Sequence, residues 1–334
     1  MKLAFFELEG WEEKILKESF PGQELFLSKE KIDELNMPAP ADYDAVSVFV
    51  DSRINVKTLV AFPNLKFLTT RSTGYDHINL DDCKAKNIQV AYVPGYGDNT
   101  VAEFAFGLIL NLTRKIYQGI DQMKEAESFS LTGLRGVDLK GKTIGIVGTG
   151  RIGKEMIKIA KGFGMNVVAY DPYPDLKFAA DMGFQYLSLE DLLKNSDIVS
   201  LHCPYNEKTH HLINKQNVSQ IKKGAYLINT ARGGIVETDV LVEALQSGIL
   251  AGVGLDVLEE EGETKEELTF LTKAHPREEE LKTMLENHIL MKMPNVLITP
   301  HNAFNSQEAL ERILRTTIEN INGFLNGKPV NLVP

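Results

Sequence analysis

The sequence predicts an α/β protein with two doubly wound parallel-sheet domains, and three observations support this prediction. Short apolar runs alternate with helix-compatible segments along nearly the whole chain, which is typical of parallel strands covered by helices. A glycine-rich turn, Gly148-Thr-Gly-Arg-Ile-Gly153, follows one of these runs and opens a helical pattern. With 334 residues, the chain is also longer than one typical hydrophobic core, which favours two domains.

The first part of the chain predicts alternating strands and helices. Apolar runs that favour strands occur at 3–6, 25–27, 45–50, 67–69 and 88–91. Residues 92–100 are rich in glycine and proline, and a helical pattern with a capping box at Thr100 and Glu103 then continues to about Tyr117. A loop that leads into a long helix predicts a domain crossing, so residues 1–99 are expected to form most of one domain.

A second alternation of strands and helices follows. Strands are predicted near 143–147, 166–170, 198–201, 224–229, 251–255 and 296–299. Together they predict an open, doubly wound sheet over residues 100–300. The last helical pattern, 306–325, has an apolar face that can pack back on the first domain, which would then be discontinuous, 1–99 with 301–334. A charged insertion at 259–293 predicts a solvated excursion of helix and loop.

The glycine-rich turn predicts that the second domain binds a dinucleotide. Gly148 allows a sharp turn, Gly150 has no side chain to hold a pyrophosphate off the main chain, and Gly153 lets the next helix pack closely. Asp171 ends the next predicted strand, 23 residues after Gly148. A carboxylate there suits the adenosine ribose and repels a 2′-phosphate. We expect a Rossmann domain that binds NAD rather than NADP; the alternative for Asp171 is an ordinary turn residue before Pro172.

Composition narrows the classes of function. The formal charge of −10 argues against a nucleic-acid partner and against an anionic membrane surface. Cys83 and Cys203 have no neighbouring cysteine, so neither a disulfide framework nor a thiolate metal site is expected. No apolar run reaches the length of about 18 residues that a membrane span needs. The expected location is the cytoplasm.

Three polar residues follow predicted strands of the second domain. Ligands bind at the carboxyl ends of parallel strands, where Arg232, Glu261 and His301 are expected. Arginine can bind a carboxylate in a fork and polarise a neighbouring carbonyl. Histidine can deliver a proton, and glutamate can orient its ring. Together the three residues predict a site for a 2-oxo acid. Taken alone, Arg232 could be a surface arginine, Glu261 could be part of an acidic run, and His301 could be a structural histidine.

The chain resembles the NAD-dependent D-2-hydroxyacid dehydrogenases over nearly its whole length. The resemblance is carried by the motifs Arg71-Ser-Thr-Gly-Tyr-Asp-His77, Val101-Ala-Glu103, Gly148-Thr-Gly-Arg-Ile-Gly153, Leu201-His-Cys-Pro204, Asn229-Thr-Ala-Arg-Gly-Gly234, Leu255-Asp-Val-Leu-Glu-Glu-Glu-Gly262 and Thr299-Pro-His301. It implies that Arg232, Glu261 and His301 are the catalytic set. Glu261 stands five residues after Asp256, as in the family motif. Beside the Rossmann domain, we expect the discontinuous domain to be a flavodoxin-like substrate domain.

The resemblance also implies contacts with ligands. The backbone around Thr73 and Gly74 would hold the substrate carboxylate, and Tyr96 and Phe304 would form a small apolar wall. The residues expected at the substrate are Ser72, Thr73, Gly74, Tyr96, Arg232, His301 and Phe304. The residues expected at NAD are Val101, Gly148, Gly150, Arg151, Ile152, Gly153, Asp171, His202, Cys203, Pro204, Thr230, Ala231 and Asp256. Of these, Asp256 and the backbone near Cys203 and Thr230 would contact the nicotinamide side, and Arg151 and Ile152 would lie along the pyrophosphate.

Several interpretations stay open. Residues 72–77 and the insertion before Pro294 resemble the D-lactate dehydrogenase branch of the family, which implies pyruvate as the substrate, and another 2-oxo acid is the alternative. A further hypothesis is an NAD(H)-sensing scaffold, because this fold family includes transcriptional corepressors. The family is usually homodimeric. The helix at 100–117 could serve that interface or could be an internal core helix.

Overall fold

The computed structural model describes residues 1–125, 127–259 and 278–333. The chain forms two compact units, one of Met1–Tyr96 with Ser306–Pro334 and one of Gly97–Asn305. The units therefore divide after residues 96 and 305, compared with the predicted divisions after residues 99 and 300. The first unit takes its chain from both ends of the sequence.

Each unit is built on one parallel sheet. The strands are β1 (Lys2–Phe5), β2 (Glu24–Leu27), β3 (Ala45–Val48), β4 (Phe67–Thr70), β5 (Gln89–Ala91), β6 (Thr143–Val147), β7 (Asn166–Tyr170), β8 (Gln185–Tyr186), β9 (Ile198–Leu201), β10 (Ala225–Asn229), β11 (Leu250–Leu255) and β12 (Val296–Ile298). The α-helices are α1 (Gly10–Ser19), α2 (Leu80–Ala85), α3 (Asp98–Arg114), α4 (Ile116–Glu125), α5 (Arg151–Gly162), α6 (Leu176–Met182), α7 (Leu189–Asn195), α8 (Thr238–Gln246), α9 (Glu278–Lys292) and α10 (Gln307–Leu325).

The sheet of the first unit has the strand order β2-β1-β3-β4-β5, and its described pairs are all parallel. This is the order of a flavodoxin-like sheet. Helix α10 covers one face of the sheet, where Leu314 and Ile321 join its core cluster. The ring of Phe324 stacks on that of Phe67 with centroids 4.8 Å apart. The last helix thus completes the core of the unit that contains β1.

The sheet of the second unit has the strand order β12-β11-β10-β9-β6-β7-β8, again with parallel pairs. This is the Rossmann order with β12 added at one edge, so the predicted fold class is confirmed. The order of the strands reverses between β6 and β9. Ligands of such sheets bind outside the carboxyl ends of the strands at this reversal, which is where β6 runs into Gly148.

Helix α3 is an internal core helix, which was one of the two interpretations of residues 100–117. Ala105, Ile109 and Leu112 are buried in a cluster with residues of β6 and α5. The predicted capping box at Thr100 is wrong, because α3 starts at Asp98 with Gly97 as its N-cap. The helix ends at Arg114 because Lys115 takes a left-handed φ of 56°, and α4 starts afresh.

Most of the described part of the charged insertion is helix α9, which packs on α8. Met284 and Leu290 are buried, and Leu290 joins the core cluster of the sheet. The prediction of a solvated excursion is therefore wrong for this helix, because one of its faces is part of the core. Residues 260–277 lie outside the described residues. Within the described ranges, no helix is long and apolar enough to cross a membrane.

Candidate active site

The glycine-rich turn lies where the strand order reverses, and each glycine has a distinct steric reason. Gly148 has φ +91°, and a Cβ there would lie 2.7 Å from the backbone nitrogen of Cys203. A Cβ on Gly153 would lie 2.0 Å from the carbonyl oxygen of Gly148, so α5 packs directly on the turn. A Cβ on Gly150 would meet nothing within 4 Å. The main chain at Gly150 is thus open to the close approach of a ligand, as a pyrophosphate requires.

Asp171 follows β7 and is bonded to the glycine-rich turn. Its Oδ2 accepts hydrogen bonds from the backbone N–H of Thr149 at 2.7 Å and from the Thr149 hydroxyl at 3.0 Å. Its Oδ1 accepts from the backbone N–H of Tyr173 at 2.8 Å. Asp171 therefore does stabilise a turn, as the alternative interpretation holds. Because each carboxylate oxygen has two lone pairs, Oδ1 keeps capacity for a ribose hydroxyl.

Residues 202–204 follow β9 and present no charged histidine or thiolate to the turn. The N–H of His202 donates to the carbonyl of Val147 at 2.7 Å, and its Nε2 lies 2.8 Å from Ser200 Oγ. Burial lowers the pKa of His202 to about 3, so the ring is neutral near pH 7. Burial also raises the pKa of the Cys203 thiol to about 11. Pro204 is exposed.

Arg232 lies in a turn held by Asn229, the last residue of β10. Asn229 is 1% exposed; its Oδ1 accepts from Ala231 N–H at 3.0 Å and its Nδ2 donates to the Arg232 carbonyl at 2.9 Å. The Thr230 hydroxyl is buried and has no hydrogen-bond partner among the described residues. Arg232 Nη1 donates to the Ala231 carbonyl at 2.8 Å. Sequence reasoning did not single out Asn229, although asparagine after an apolar strand is a known turn signal.

His301 follows β12 in a loop held by Asp256. Its φ is +53°, which is rare outside glycine. The carboxylate of Asp256, 1% exposed, accepts from Thr299 Oγ1 at 2.5 Å, Asn302 N–H at 2.8 Å and Ala303 N–H at 2.7 Å. Burial raises the pKa of Asp256, although these hydrogen bonds oppose it. Asp256 thus positions the histidine loop, and its expected contact with nicotinamide stays a prediction.

Glu261, the third member of the expected catalytic set, lies outside the described residues. Its described neighbour Glu259 has a structural role. Oε1 of Glu259 lies 2.6 Å from His211 Nε2, and Oε2 accepts from the N–H and hydroxyl of Thr238. A Cβ on Gly233 would lie 2.2 Å from Glu259 N. Glu259 is therefore committed to packing against the arginine turn.

The remaining residues expected at NAD lie on three different elements of the second unit. Val101 is buried in α3, Ile152 packs on the core cluster of α5, and Ala231 lies in the asparagine-held turn. Arg151 is largely exposed, and its Nε donates to Asp98 Oδ2 at 2.9 Å. Its predicted position along a pyrophosphate stays a prediction.

Of the substrate residues expected in the first unit, Ser72, Thr73 and Gly74 form a loop after β4, and Tyr96 follows β5. The Ser72 carbonyl accepts from Val93 N–H at 2.9 Å, and the Thr73 hydroxyl donates to the Val93 carbonyl at 2.8 Å. Ser72 Oγ donates to the Gly74 carbonyl at 2.6 Å. The Tyr96 carbonyl accepts from Arg312 Nε at 2.7 Å. Phe304 belongs to the second unit, where its ring lies edge-on to that of His301 with centroids 6.5 Å apart.

The second unit brings a cation and an imidazole to one edge of its sheet. Arg232 follows β10 and His301 follows β12, and parallel strands end at the same edge. The glycine-rich turn follows β6 at that edge as well. An arginine can bind and polarise an oxo acid, and a histidine can exchange a proton near neutral pH. Within the described residues, no group of histidine, cysteine and carboxylate side chains is arranged to hold a metal ion.

Comparison with known proteins identifies the family. Residues 106–303 match the model of the D-isomer specific 2-hydroxyacid dehydrogenase NAD-binding domain. The chain is 34% identical to D-lactate dehydrogenase of Escherichia coli, over 98% of each chain. The crystal structure of D-lactate dehydrogenase from Aquifex aeolicus with NAD and lactic acid has 35% identity and a TM-score of 0.85, over 98% of this chain and 96% of that one. Aromatic 2-oxoacid reductase of Clostridium sporogenes is 35% identical over 84% of this chain and 83% of its own.

The chain belongs to the D-isomer specific 2-hydroxyacid dehydrogenase family. NAD is the cofactor of this dehydrogenase. The residues at the sheet edge fit it: Gly150 leaves the main chain open, Asp171 offers a carboxylate at the end of β7, and Thr230 has a buried hydroxyl without a partner among the described residues. A buried hydroxyl needs a hydrogen-bond partner, which a polar cofactor can supply.

Proposed function

We propose that this dehydrogenase is a D-lactate dehydrogenase that interconverts pyruvate and D-lactate. The observation that carries the proposal is the pair of turns at the carboxyl edge of the Rossmann sheet, with Arg232 held by Asn229 and His301 held by Asp256. A site built this way suits a small 2-oxo acid. The near full-length similarity to the D-lactate dehydrogenase of Escherichia coli supports pyruvate as that acid.

In the proposed mechanism, bound NADH would supply the hydride that reduces the substrate. The Arg232 guanidinium binds the carboxylate of pyruvate and polarises its 2-oxo group. His301 gives its proton to the oxygen of that group as general acid, and takes it back in the reverse direction. Glu261 orients the His301 ring, as the family motif implies. The loop of Ser72, Thr73 and Gly74 holds the substrate carboxylate.

The remaining proposed contacts decide side-chain preference and cofactor binding. Phe304 gives the methyl group of pyruvate an apolar contact, and Tyr96 is the other residue that we propose for side-chain selection. The glycine-rich turn binds the pyrophosphate through its free N–H groups, and Asp171 binds the adenosine ribose. Residues 202–204, which follow β9, place no charged side chain on the proposed nicotinamide side, because burial keeps the His202 ring and the Cys203 thiol neutral.

The substrate assignment is tested with a panel of 2-oxo acids and NADH. We expect kcat/KM to be highest for pyruvate and lower for branched, aromatic and phosphorylated 2-oxo acids. A preference for phenylpyruvate would instead support the second candidate, a reductase of larger 2-oxo acids, which the aromatic 2-oxoacid reductase of Clostridium sporogenes suggests at 35% identity. No turnover of any 2-oxo acid with NADH would contradict both.

We also propose that the enzyme is a homodimer. Helix α4 has no buried residue, and its apolar side chains Ile116, Tyr117, Ile120 and Met123 are between 43% and 55% exposed. A neighbouring segment exposes Phe129 and Leu131 further. An apolar surface of this kind needs cover in water. Sedimentation at micromolar concentration should give a dimer, Ile120→Lys should weaken it, and a monomeric wild type would contradict the proposal.

A further inference from the structure

A buried series of hydrogen bonds ends on the loop that we propose for the substrate carboxylate. Thr70, the last residue of β4, is fully buried. Its Oγ1 lies 2.7 Å from Ser72 Oγ and 3.0 Å from His77 Nε2. Ser72 Oγ in turn donates to the Gly74 carbonyl at 2.6 Å. Ser72 is 3% exposed and His77 is 7% exposed, so water has little access to these atoms.

The number of hydrogens fixes the direction of every bond in this series. A serine or threonine hydroxyl has one hydrogen to donate. Ser72 donates its hydrogen to the Gly74 carbonyl, so it must accept from Thr70. Thr70 has then used its own hydrogen and must accept from the Nε2–H of His77. The series therefore runs from His77 through Thr70 and Ser72 to the Gly74 carbonyl, and its members polarise one another.

The other edge of the loop is fixed by Val93. Its N–H donates to the Ser72 carbonyl, and its carbonyl accepts from the Thr73 hydroxyl. In a trans peptide the N–H points away from the carbonyl, so the Thr73 N–H is directed away from Val93. Neither the Thr73 N–H nor the Gly74 N–H donates to any of the described residues. The bond from Val93 sets the direction of the Thr73 N–H. The Gly74 N–H belongs to the next peptide, which lies between this anchor and the Gly74 carbonyl that Ser72 holds.

We infer that His77, Thr70 and Ser72 are positioning residues: they hold the Gly74 carbonyl and so restrain the preceding peptides, whose Thr73 and Gly74 N–H groups bind the substrate carboxylate. The inference rests on the proposed function and deepens it. Donors that are fixed before binding lose little freedom when the ligand binds, which improves affinity. Because the series acts on the carboxylate and not on the reacting 2-oxo group, its loss should weaken substrate binding more than it slows turnover.

The decisive variants are Thr70→Val and its matched control Thr70→Ser. Valine has nearly the shape of threonine but leaves both Ser72 and His77 without their buried partner, whereas serine keeps the hydroxyl. We expect Thr70→Val to raise KM for pyruvate by about tenfold or more, with kcat and KM for NADH within about twofold of the wild type. Thr70→Ser should keep all three values. Oxamate, which carries a carboxylate beside an amide carbonyl, should bind the NADH complex of Thr70→Val correspondingly more weakly in calorimetry.

The inference is overturned if folded Thr70→Val keeps the wild-type KM and oxamate affinity, or if only its kcat falls. Should Thr70→Val fail to fold, Ser72→Ala, which removes one oxygen and the last donor, is measured in the same way. Failure of the proposed function has a different signature. A wild type that binds oxamate but turns over no 2-oxo acid contradicts the function, whereas the oxamate comparison between variants still tests the loop.

Discussion

The backbone N–H of His301 donates a hydrogen bond to the carbonyl oxygen of Asp256 at 2.8 Å. The carboxylate of the same aspartate accepts from the N–H groups of Asn302 and Ala303 after the histidine and from the hydroxyl of Thr299 before it, so one buried residue holds both sides of the histidine. The left-handed φ of His301 costs about 1–2 kcal/mol outside glycine. The proposed general acid is therefore held in a strained conformation by a residue 45 positions earlier.

Asp256→Asn should weaken the hydrogen bonds that hold the His301 loop. One of the two backbone N–H groups, of Asn302 or Ala303, would face an amide NH2 instead of an oxygen. We expect the free energy of unfolding to fall by about 1–3 kcal/mol and kcat to fall by about tenfold or more, measured by denaturant titration and steady-state kinetics. Thr299→Val, which removes only a hydroxyl donor to Asp256, is the control and should lose less of both. A wild-type kcat in Asp256→Asn would show that the loop holds His301 without it.

His301→Asn should remove the proposed proton donor. Loss of general acid catalysis typically costs about 10²–10⁴-fold in kcat. The dissociation constant for NADH, measured by fluorescence, should stay within about threefold, because the glycine-rich turn and Asp171 are untouched. His288→Asn, in α9, is the matched control and should keep kcat. Near-normal turnover by His301→Asn would be incompatible with its role as acid.

Asp171→Ala should affect the cofactor in two ways. It removes the acceptor of both Thr149 hydrogen bonds, which loosens the glycine-rich turn, and it removes the charge that repels a 2′-phosphate. We expect KM for NADH to rise by about tenfold and the preference for NADH over NADPH to shrink, in assays with saturating substrate. Tyr173→Phe, which changes a side chain that is 87% exposed, should leave the preference intact. An unchanged preference in Asp171→Ala would remove the carboxylate from ribose recognition.

His202→Gln should make the fold less sensitive to acid. Burial lowers the pKa of His202 to about 3, whereas an unfolded histidine has a pKa of about 6.5. Between these values the unfolded chain binds the extra proton, so the free energy of unfolding falls as the pH falls from 6.5 towards 3.

Glutamine keeps a donor for Ser200 but does not titrate. Urea titrations at pH 7 and pH 4.5 should show the wild type losing about 1–2 kcal/mol more than His202→Gln over this interval, after allowance for the partial exposure of the ring. Equal losses in the two proteins would mean that His202 is not kept neutral by the fold.

The features that the sequence predicted correctly are those that a short stretch of neighbouring residues indicates. Apolar runs and the helical stripe after Gly153 indicate strands and helices, and the confirmed parallel sheets follow from their alternation. Arg232 and His301 were expected at strand ends because each directly follows an apolar run. The structure adds the neighbours that fix their turns.

What escaped prediction depends on contacts between distant residues. Asp256 was expected to contact nicotinamide, and nothing local to it indicates that its oxygens are engaged by residues 299–303. The break at Lys115 has no proline or glycine to signal it, so the predicted helix ran past it to about Tyr117 and α4 was not predicted as a separate helix. Strand β8 has two residues and carries no apolar run.

The return of α10 to the first sheet has a consequence for how the chain is made. During synthesis β1 emerges before any part of the second unit, whereas the helix that packs on its sheet emerges after all of it. The second unit is contiguous and can fold while translation continues. The ring of Phe67 has to wait for Phe324, more than 250 residues later. One face of the strands that are synthesised first is thus among the last parts of the chain to be covered.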